Sequence, residues 1–343
     1  MNHGFATPEG TARFSARRSG PGRFGFYRQF DNLQVSSLGL GTYLGNPDDP
    51  TDIAYRNAVI AAVRGGINFL DTAVNYRHQR SERSIGAALV QLLAAGDAQR
   101  DEIVVATKAG FLTTGALPGF LKPEDIAGGM HSMQPDFLAD QIDRSRANLG
   151  LDTIDIFYLH NPETQLGSVS REEFERRIRL AFAKLETLVT NGKIRKYGAA
   201  TWEGFRAPAA KPALDLARLV EIATEVGGTQ HHFRLVQLPF NLAMPEALTN
   251  GVLDLAARSG IAVVASATLM QARLACDLPE ALAEKFPGLT TDAQRAIQFT
   301  RSTAGILAAL VGMSRAAHVA ENLGVAGVPA LTENEYRELY QRA

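Results

Sequence analysis

Residues 67–82 read INFLDTAVNYRHQRSE. The stretch opens as a short apolar run, the pattern of a strand buried on both faces, and closes as a polar loop. Overlapping its end, SERSIGAALVQLLAAG (81–96) has helical spacing, with Ser81 placed as an N-cap and Gly96 as the stop. Strand, loop and helix recur in that order. Strand candidates begin at Leu38 (LGLGTY), Asn68 (NFLDTA), Glu102 (EIVVATK) and Ile154 (IDIFYLH). Four more begin at Tyr197 (YGAATW), Arg234 (RLVQLPF), Ala262 (AVVASA) and Ala308 (AALVGM).

Helical patterns fill the gaps. In DIAYRNAVIAAVRGG, Ala54, Val59, Ala62 and Val63 share a face before Gly65-Gly66 ends the run. REEFERRIRLAFAKLETLVTNG carries the stripe Phe174, Ile178, Ala181, Phe182, Leu185 and Leu188, and stops at Asn191-Gly192. Further helices fit 136–149, 212–226, 249–259, 292–304 and 315–323, with a last one near the C-terminus. Eight such alternations predict an α/β protein, a (β/α)8 TIM barrel forming one domain over 34–343. A doubly wound sheet is the competitor. Its G-x-G-x-x-G fingerprint is not met, because Gly39 and Gly41 are followed by Leu44 where the third glycine belongs. Residues 1–33 are expected to be a flexible extension ending in a short hairpin around FGFYRQFDNLQVSS. Long connections follow the third strand (109–135) and the seventh (268–291), at the end where barrel enzymes build their sites.

Bulk composition narrows the partners. Of 343 residues, 45% are hydrophobic and 21% charged, ordinary for a soluble globular chain. A net charge of −1 gives no electrostatic reason to expect nucleic acid. Cys276 is the only cysteine, so no internal disulfide forms, which suits a reducing compartment. No run approaches the roughly 18 apolar residues of a membrane span. Arg17-Arg18 hint at a twin-arginine signal, but SGPGRFGFYRQF lacks the apolar stretch that must follow. The expectation is a cytoplasmic protein acting on a small molecule, with its oligomeric state unreadable.

Four polar residues stand where strands end. Asp71 closes the second strand and Tyr76 lies in the loop after it. Lys108 closes the third and His160 the fourth. Adjacent parallel strands lie about 5 Å apart, so a barrel brings these groups to one patch at its mouth. A phenol with pKa near ~10 is a poor acid at neutral pH, and a neighbouring ammonium lowers that value. Asp71 can hold Lys108 charged, and His160 can hydrogen-bond a carbonyl. Together they describe a proton donor for a carbonyl oxygen becoming an alkoxide. Singly, each has a plainer use in a turn, a packed surface or a solvated strand end. Arg77, His78 and Arg80 make the following loop basic; a solvated loop is expected, with attraction of an anionic substrate or a cofactor phosphate as the alternative.

GINFLDTAVNY followed by SERSIGAAL resembles the first signature of the aldo-keto reductase superfamily. VVATK, IDIFYLHNPE, GKIRKYGAATW, VQLPFN and LVGMSRAAHVAENL fall in that family's order, and the resemblance covers about residues 34–324. It implies a metal-free barrel that reduces an aldehyde or ketone with NADP(H), preferred over NAD(H). Carried over, Tyr76 would be the general acid, Lys108 its tuner, Asp71 the partner of Lys108, and His160 the group orienting the carbonyl. Gln237 would meet the nicotinamide carboxamide, and Gly41, Thr42, Asp71, Thr201 and Ser266 would line the cofactor path. Gly312, Ser314, Arg315 and His318, opening a helix after the last strand, would face the 2′-phosphate, with Glu321 and Asn322 at the adenine. Tyr43, Phe111 and Trp202 would line the substrate pocket.

Three departures stand out. Ala200-Thr201 replace a common Ser-Asn, Ala265 supplies no stacking ring, and Gly312 takes the place of a frequent lysine. One rival reading keeps the fold as a nucleotide-sensing subunit, as resembled by potassium-channel β subunits. A metal-dependent hydrolase would want several histidines at strand ends, and His160 is the only one there.

Overall fold

The computed structural model describes residues 2–19, 25–206 and 213–339. Helix α1 (Pro8–Arg18) comes first, and strands β1 (Tyr27–Phe30) and β2 (Leu33–Ser36) then pair antiparallel. Eight further strands run in parallel: β3 (Leu38–Gly41), β4 (Phe69–Asp71), β5 (Val104–Ala109), β6 (Ile154–His160), β7 (Ile194–Ala200), β8 (Phe233–Pro239), β9 (Ala262–Ser266) and β10 (Ile306–Gly312). Each pairs with the next, and β10 returns to β3, closing the barrel. All eight strand candidates are therefore present, in the expected fold class.

Helices α2 (Asp49–Arg64), α3 (Arg80–Ala94), α4 (Pro135–Leu149), α5 (Arg171–Thr190), α6 (Leu216–Gly227) and α7 (Val252–Arg258) follow β3 to β8 in turn. The short α8 (Ala281–Lys285) lies in the connection after β9, ahead of α9 (Asp292–Ser302). α10 (Ala316–Asn322) follows β10, and α11 (Glu333–Glu338) comes last. Residue 212, read as the start of α6, lies outside the described residues. The stripe predicted on α5 is buried throughout. On α2 the buried face is Tyr55, Ala58, Val59, Ala62 and Val63, with Ala54 only half-buried. Ser81 is not a cap. The helix starts a residue earlier, and the Ser81 hydroxyl donates to the Thr42 carbonyl at 2.8 Å, tying α3 to the loop after β3.

Strand alternation sorts residues into two layers. Inside the barrel lie Phe69, Val104, Ala106, Ile156, Tyr158, Leu235, Val264 and Leu310; Val105, Phe157, Leu159, Val236, Val263 and Ala265 pack against the helices. Gly198 must be glycine here, since a Cβ would sit 2.1 Å from the Leu235 carbonyl oxygen. The same alternation continues upward: Asp71, Lys108, His160 and Gln237 each stand two residues above an interior side chain of their own strand.

The lower end is closed. Phe30, Leu33 and Val35 of the hairpin join the interior cluster, and Asp31 and Asn32 make the turn at positive φ. Residues 8–18, read from sequence as part of a flexible tail, form a helix. Thr7 caps it with a 3.0 Å bond from the Gly10 N–H, Pro8 starts it, and Phe14 is fully buried. Arg13 and Arg17 reach the buried Glu102 just below β5 at 2.8 and 2.6 Å.

Candidate active site

At the upper end, Lys108 Nζ donates to Asp71 Oδ1 at 2.5 Å and to the Thr72 carbonyl at 2.8 Å. The Gln237 amide donates to the other Asp71 oxygen at 2.9 Å. The Lys108 Nζ also lies 5.1 Å from the centroid of the Tyr76 ring. The Tyr76 ring meets His160 edge-on at 5.7 Å and Tyr43 at 4.9 Å, and Phe111 meets His160 at 5.1 Å. The four strand-end residues singled out from the sequence thus form one connected group.

Burial decides much of their chemistry. It pushes the Asp71 carboxyl above its ordinary value, against the pull of Lys108 and Gln237. It also opposes the charged form of Lys108, but Asp71 and the Tyr76 oxygen outweigh it and hold the ammonium above its usual range. For Tyr76 burial is the largest influence and raises the phenol, while the Lys108 charge works the other way. The sequence argument gave Lys108 the deciding part; desolvation takes it. The phenol therefore stays protonated at neutral pH, the state a proton donor needs. Burial, then the Lys108 charge, hold His160 well below 6.5, so its imidazole is neutral. Its Nδ1 is buried without a partner among the described residues, leaving Nε2 as the nitrogen available to the cavity.

Tyr76 is held out by an unusual loop. Arg77, His78 and Gln79 all have positive φ, a conformation unfavourable for bulky side chains. The Arg77 guanidinium fixes it. It is 2% exposed, pairs with Asp52 at 2.6 Å, donates to Ser81 and Ser84, and stacks over Tyr55 at 4.7 Å. Arg80 also pairs with Asp52. Arg77 is therefore buried rather than solvated and Arg80 half-buried, both paired with carboxylates of α2, while His78 alone is exposed.

A cavity of about 750 Å³ opens over this group, within the range for a ligand site. Gly41, Thr42, Tyr43, Asp71, Tyr76, Phe111, His160, Thr201, Trp202, Gln237, Ser266, Gly312, His318, Glu321 and Asn322 line it. Lys108 stands behind Asp71 and Tyr76. Ser314 and Arg315 are outside the lining, and the helix they open, α10, has only seven residues. Ala265 faces the helical layer, so the position without a ring belongs to Ser266. The Thr201 hydroxyl is engaged, donating to Glu163 at 2.5 Å and accepting from the Gly204 N–H at 2.6 Å. Sequence reasoning missed Asn75, Asn161, Thr268 and Gln271 on the walls. The first two adjoin Tyr76 and His160, and that adjacency was the available signal.

A nicotinamide dinucleotide fits what is present. Among the described residues, Asn322 Oδ1 and Thr268 Oγ1 are buried on the cavity wall with no partner, and nothing lies within 4 Å of a Cβ at Gly312. Among the described residues no three His, Cys, Asp or Glu side chains group as metal ligands, and no helix is long and apolar enough to cross a membrane.

The sequence profile of the Aldo/keto reductase family matches residues 37–277, well over half the chain. The chain belongs to the aldo/keto reductase family. Among relatives, the NADH-specific methylglyoxal reductase of Escherichia coli K12 is 31% identical over 174 residues, 49% of this chain and 49% of that one. The 6-dehydroglucose reductase of Novosphingobium aromaticivorans is 31% identical over 170 residues, 48% and 47%. This aldo/keto reductase chain spans about half the length of the curated relatives it matches. Among solved structures, the Gluconobacter oxydans glycerol dehydrogenase superposes with a TM-score of 0.68 at 20% identity, covering 92% of this chain and 94% of that one. A Klebsiella pneumoniae aldo/keto reductase in complex with NADP and acetate gives 0.65 at 20%, with the same coverage. These similarities support the barrel.

Proposed function

We propose that the protein reduces an aldehyde or ketone to an alcohol with NADP(H), reversibly. The observation that carries this is the Asp71–Lys108 pair with the Tyr76 ring against it at the cavity wall and a neutral His160 beside it. A bound nicotinamide supplies a hydride to the carbonyl carbon. Tyr76 gives its hydroxyl proton to the carbonyl oxygen as negative charge develops there, and Lys108 stabilises the phenolate left behind. Asp71 holds Lys108 charged and in place. His160 Nε2–H points the carbonyl oxygen at Tyr76. Alcohol oxidation runs the same proton back to Tyr76.

Gly41, Thr42, Gln237 and Ser266 would hold the nicotinamide half, with Gln237 offering its oxygen because its amide N–H serves Asp71. Gly312, His318, Glu321 and Asn322 would hold the adenosine half. Arg315, exposed and without a carboxylate partner among the described residues, is the group suited to a 2′-phosphate. NADH is the second reading, favoured by the Glu321 carboxylate on the wall and the missing side chain at Gly312.

Among the described residues no lysine or arginine lines the cavity, which favours neutral substrates. Asn75, whose buried Oδ1 has no partner among the described residues, and Asn161 both line the wall and suit a substrate bearing oxygen next to its carbonyl. Methylglyoxal and 6-dehydroglucose, named for two relatives, have that feature. Trp202, the sole tryptophan, lies on the wall and reports binding. Saturable quenching by NADPH at lower concentration than NADH, followed by turnover of α-oxygenated aldehydes, is the expected result. Quenching without turnover on any carbonyl would favour a nucleotide-sensing role instead.

A further inference from the structure

His131 lies in the long connection after β5, fully buried, and the chemistry above does not use it. Its Nε2 stands 2.7 Å from the main-chain oxygen of His160. Its Nδ1 stands 2.9 Å from the Gln165 amide nitrogen. The tautomer follows from the rest of the network. Gln165 Oε1 accepts from Arg177 at 2.7 Å, and Arg177 pairs with Glu173 at 2.8 Å. Gln165 must therefore turn its NH2 toward His131. Nδ1 accepts, and Nε2 carries the proton to the His160 carbonyl. Burial holds the ring's pKa at about 4, so this neutral form persists across the working range.

The backbone is arranged for this contact. The β5–β6 ladder ends at Ala109 and Leu159, so the His160 carbonyl lies one residue past its last partner. A Cβ at Gly110 would sit 2.4 Å from His131 Nε2 and 2.7 Å from that carbonyl oxygen. Glycine there is what lets the imidazole reach in. The Phe111 ring lies between the two histidines, edge-on to His131 at 5.2 Å and to His160 at 5.1 Å. His131 thus holds both the strand end that presents His160 and the aromatic wall beside it.

We propose that His131 is a positioning residue for the reduction: through its bond to the His160 carbonyl and its contact with Phe111, it sets the angle at which His160 meets the substrate oxygen. This rests on the carbonyl-reductase reading. Reaction geometry is sensitive on this scale, a displacement of about 1 Å costing on the order of 100-fold.

Three variants test it in the full-length protein: His131→Phe, which keeps the ring but removes both nitrogens; His131→Gln, which keeps a donor near Nε2; and Gln165→Leu, which frees the tautomer. NADPH affinity is read from Trp202 quenching, kcat and KM from carbonyl reduction at saturating NADPH, and the His160 ring from nitrogen-15 histidine spectra. The expected result for His131→Phe is a kcat lower by about 100-fold with NADPH affinity unchanged and the His160 resonances shifted. His131→Gln should recover to within about tenfold of wild type, and Gln165→Leu should shift the His160 resonances with a smaller rate loss. Wild-type kcat, KM and His160 resonances in both His131→Phe and Gln165→Leu, with only a lower melting temperature, would overturn the proposal. If wild type binds NADPH but turns over no carbonyl, the function reading fails on its own, and the His160 spectra still decide whether His131 sets that ring.

Discussion

Tyr76→Phe removes a single oxygen from a ring already packed by Tyr43 and His160. Carbonyl reduction should nearly vanish while dinucleotide quenching of Trp202 stays as in wild type; retained turnover would place the proton donor elsewhere. Lys108→Met acts differently, because it leaves the buried Asp71 carboxylate without its cation. Removing one partner of such a pair costs about 3 kcal/mol, so a lower urea midpoint should accompany the lost rate. Asp71, Lys108 and His160 were legible because each sits where an apolar run stops, and Tyr76 because it lies in the loop just after one, positions visible in one dimension. His131 and Glu163 were not. Their partners, the His160 carbonyl and the Thr201 hydroxyl, are brought to them by connections whose return path no local pattern records. Ala265 was misread for a smaller reason: alternation turns Ser266, one residue on, toward the cavity.

The loop that carries Tyr76 and the helix at the opposite end both show elements held by charge. Arg77→Ala would leave Asp52 with Arg80 alone and release three residues from left-handed backbone. A stability loss of roughly 2 kcal/mol is expected in urea unfolding, together with lower kcat, and equally so on neutral and acidic carbonyls. Loss confined to acidic substrates would instead make Arg77 a substrate contact. For α1, a Cβ at Gly10 would stand 2.2 Å from the Asp101 carbonyl oxygen. Gly10→Ala should lift the helix off, seen as faster amide exchange over residues 8–18 and trypsin cleavage after Arg13 or Arg17, with activity little changed. The barrel strands were readable as evenly spaced apolar runs. α1 was not, because of its eleven residues only Gly10, Thr11 and Phe14 are buried, too thin a stripe to register as a helical face. Its cap, Thr7 followed by Pro8, was in plain view.

Across the whole molecule, stability should depend on pH through the buried histidines. An unfolded imidazole takes its proton near 6.5, whereas His131 in the fold takes one only near about 4. Between those values the unfolded chain holds the extra proton. The stabilisation present above pH 6.5 is therefore lost as pH falls toward 4, by roughly 3 kcal/mol for His131, and His160 adds in the same direction. Urea midpoints at pH 7 and pH 5 check this, and His131→Gln should flatten the slope. The two ends of the barrel differ as sharply as its layers do. Asn2 bridges to Leu151 below β6, α1 lies beneath β5, and the hairpin plugs the interior, so the first described residues belong to the closed end. Anchoring the protein to a solid support through residue 2 would therefore leave the cavity facing the bulk liquid, and the immobilised form should keep the kinetic constants of the free one.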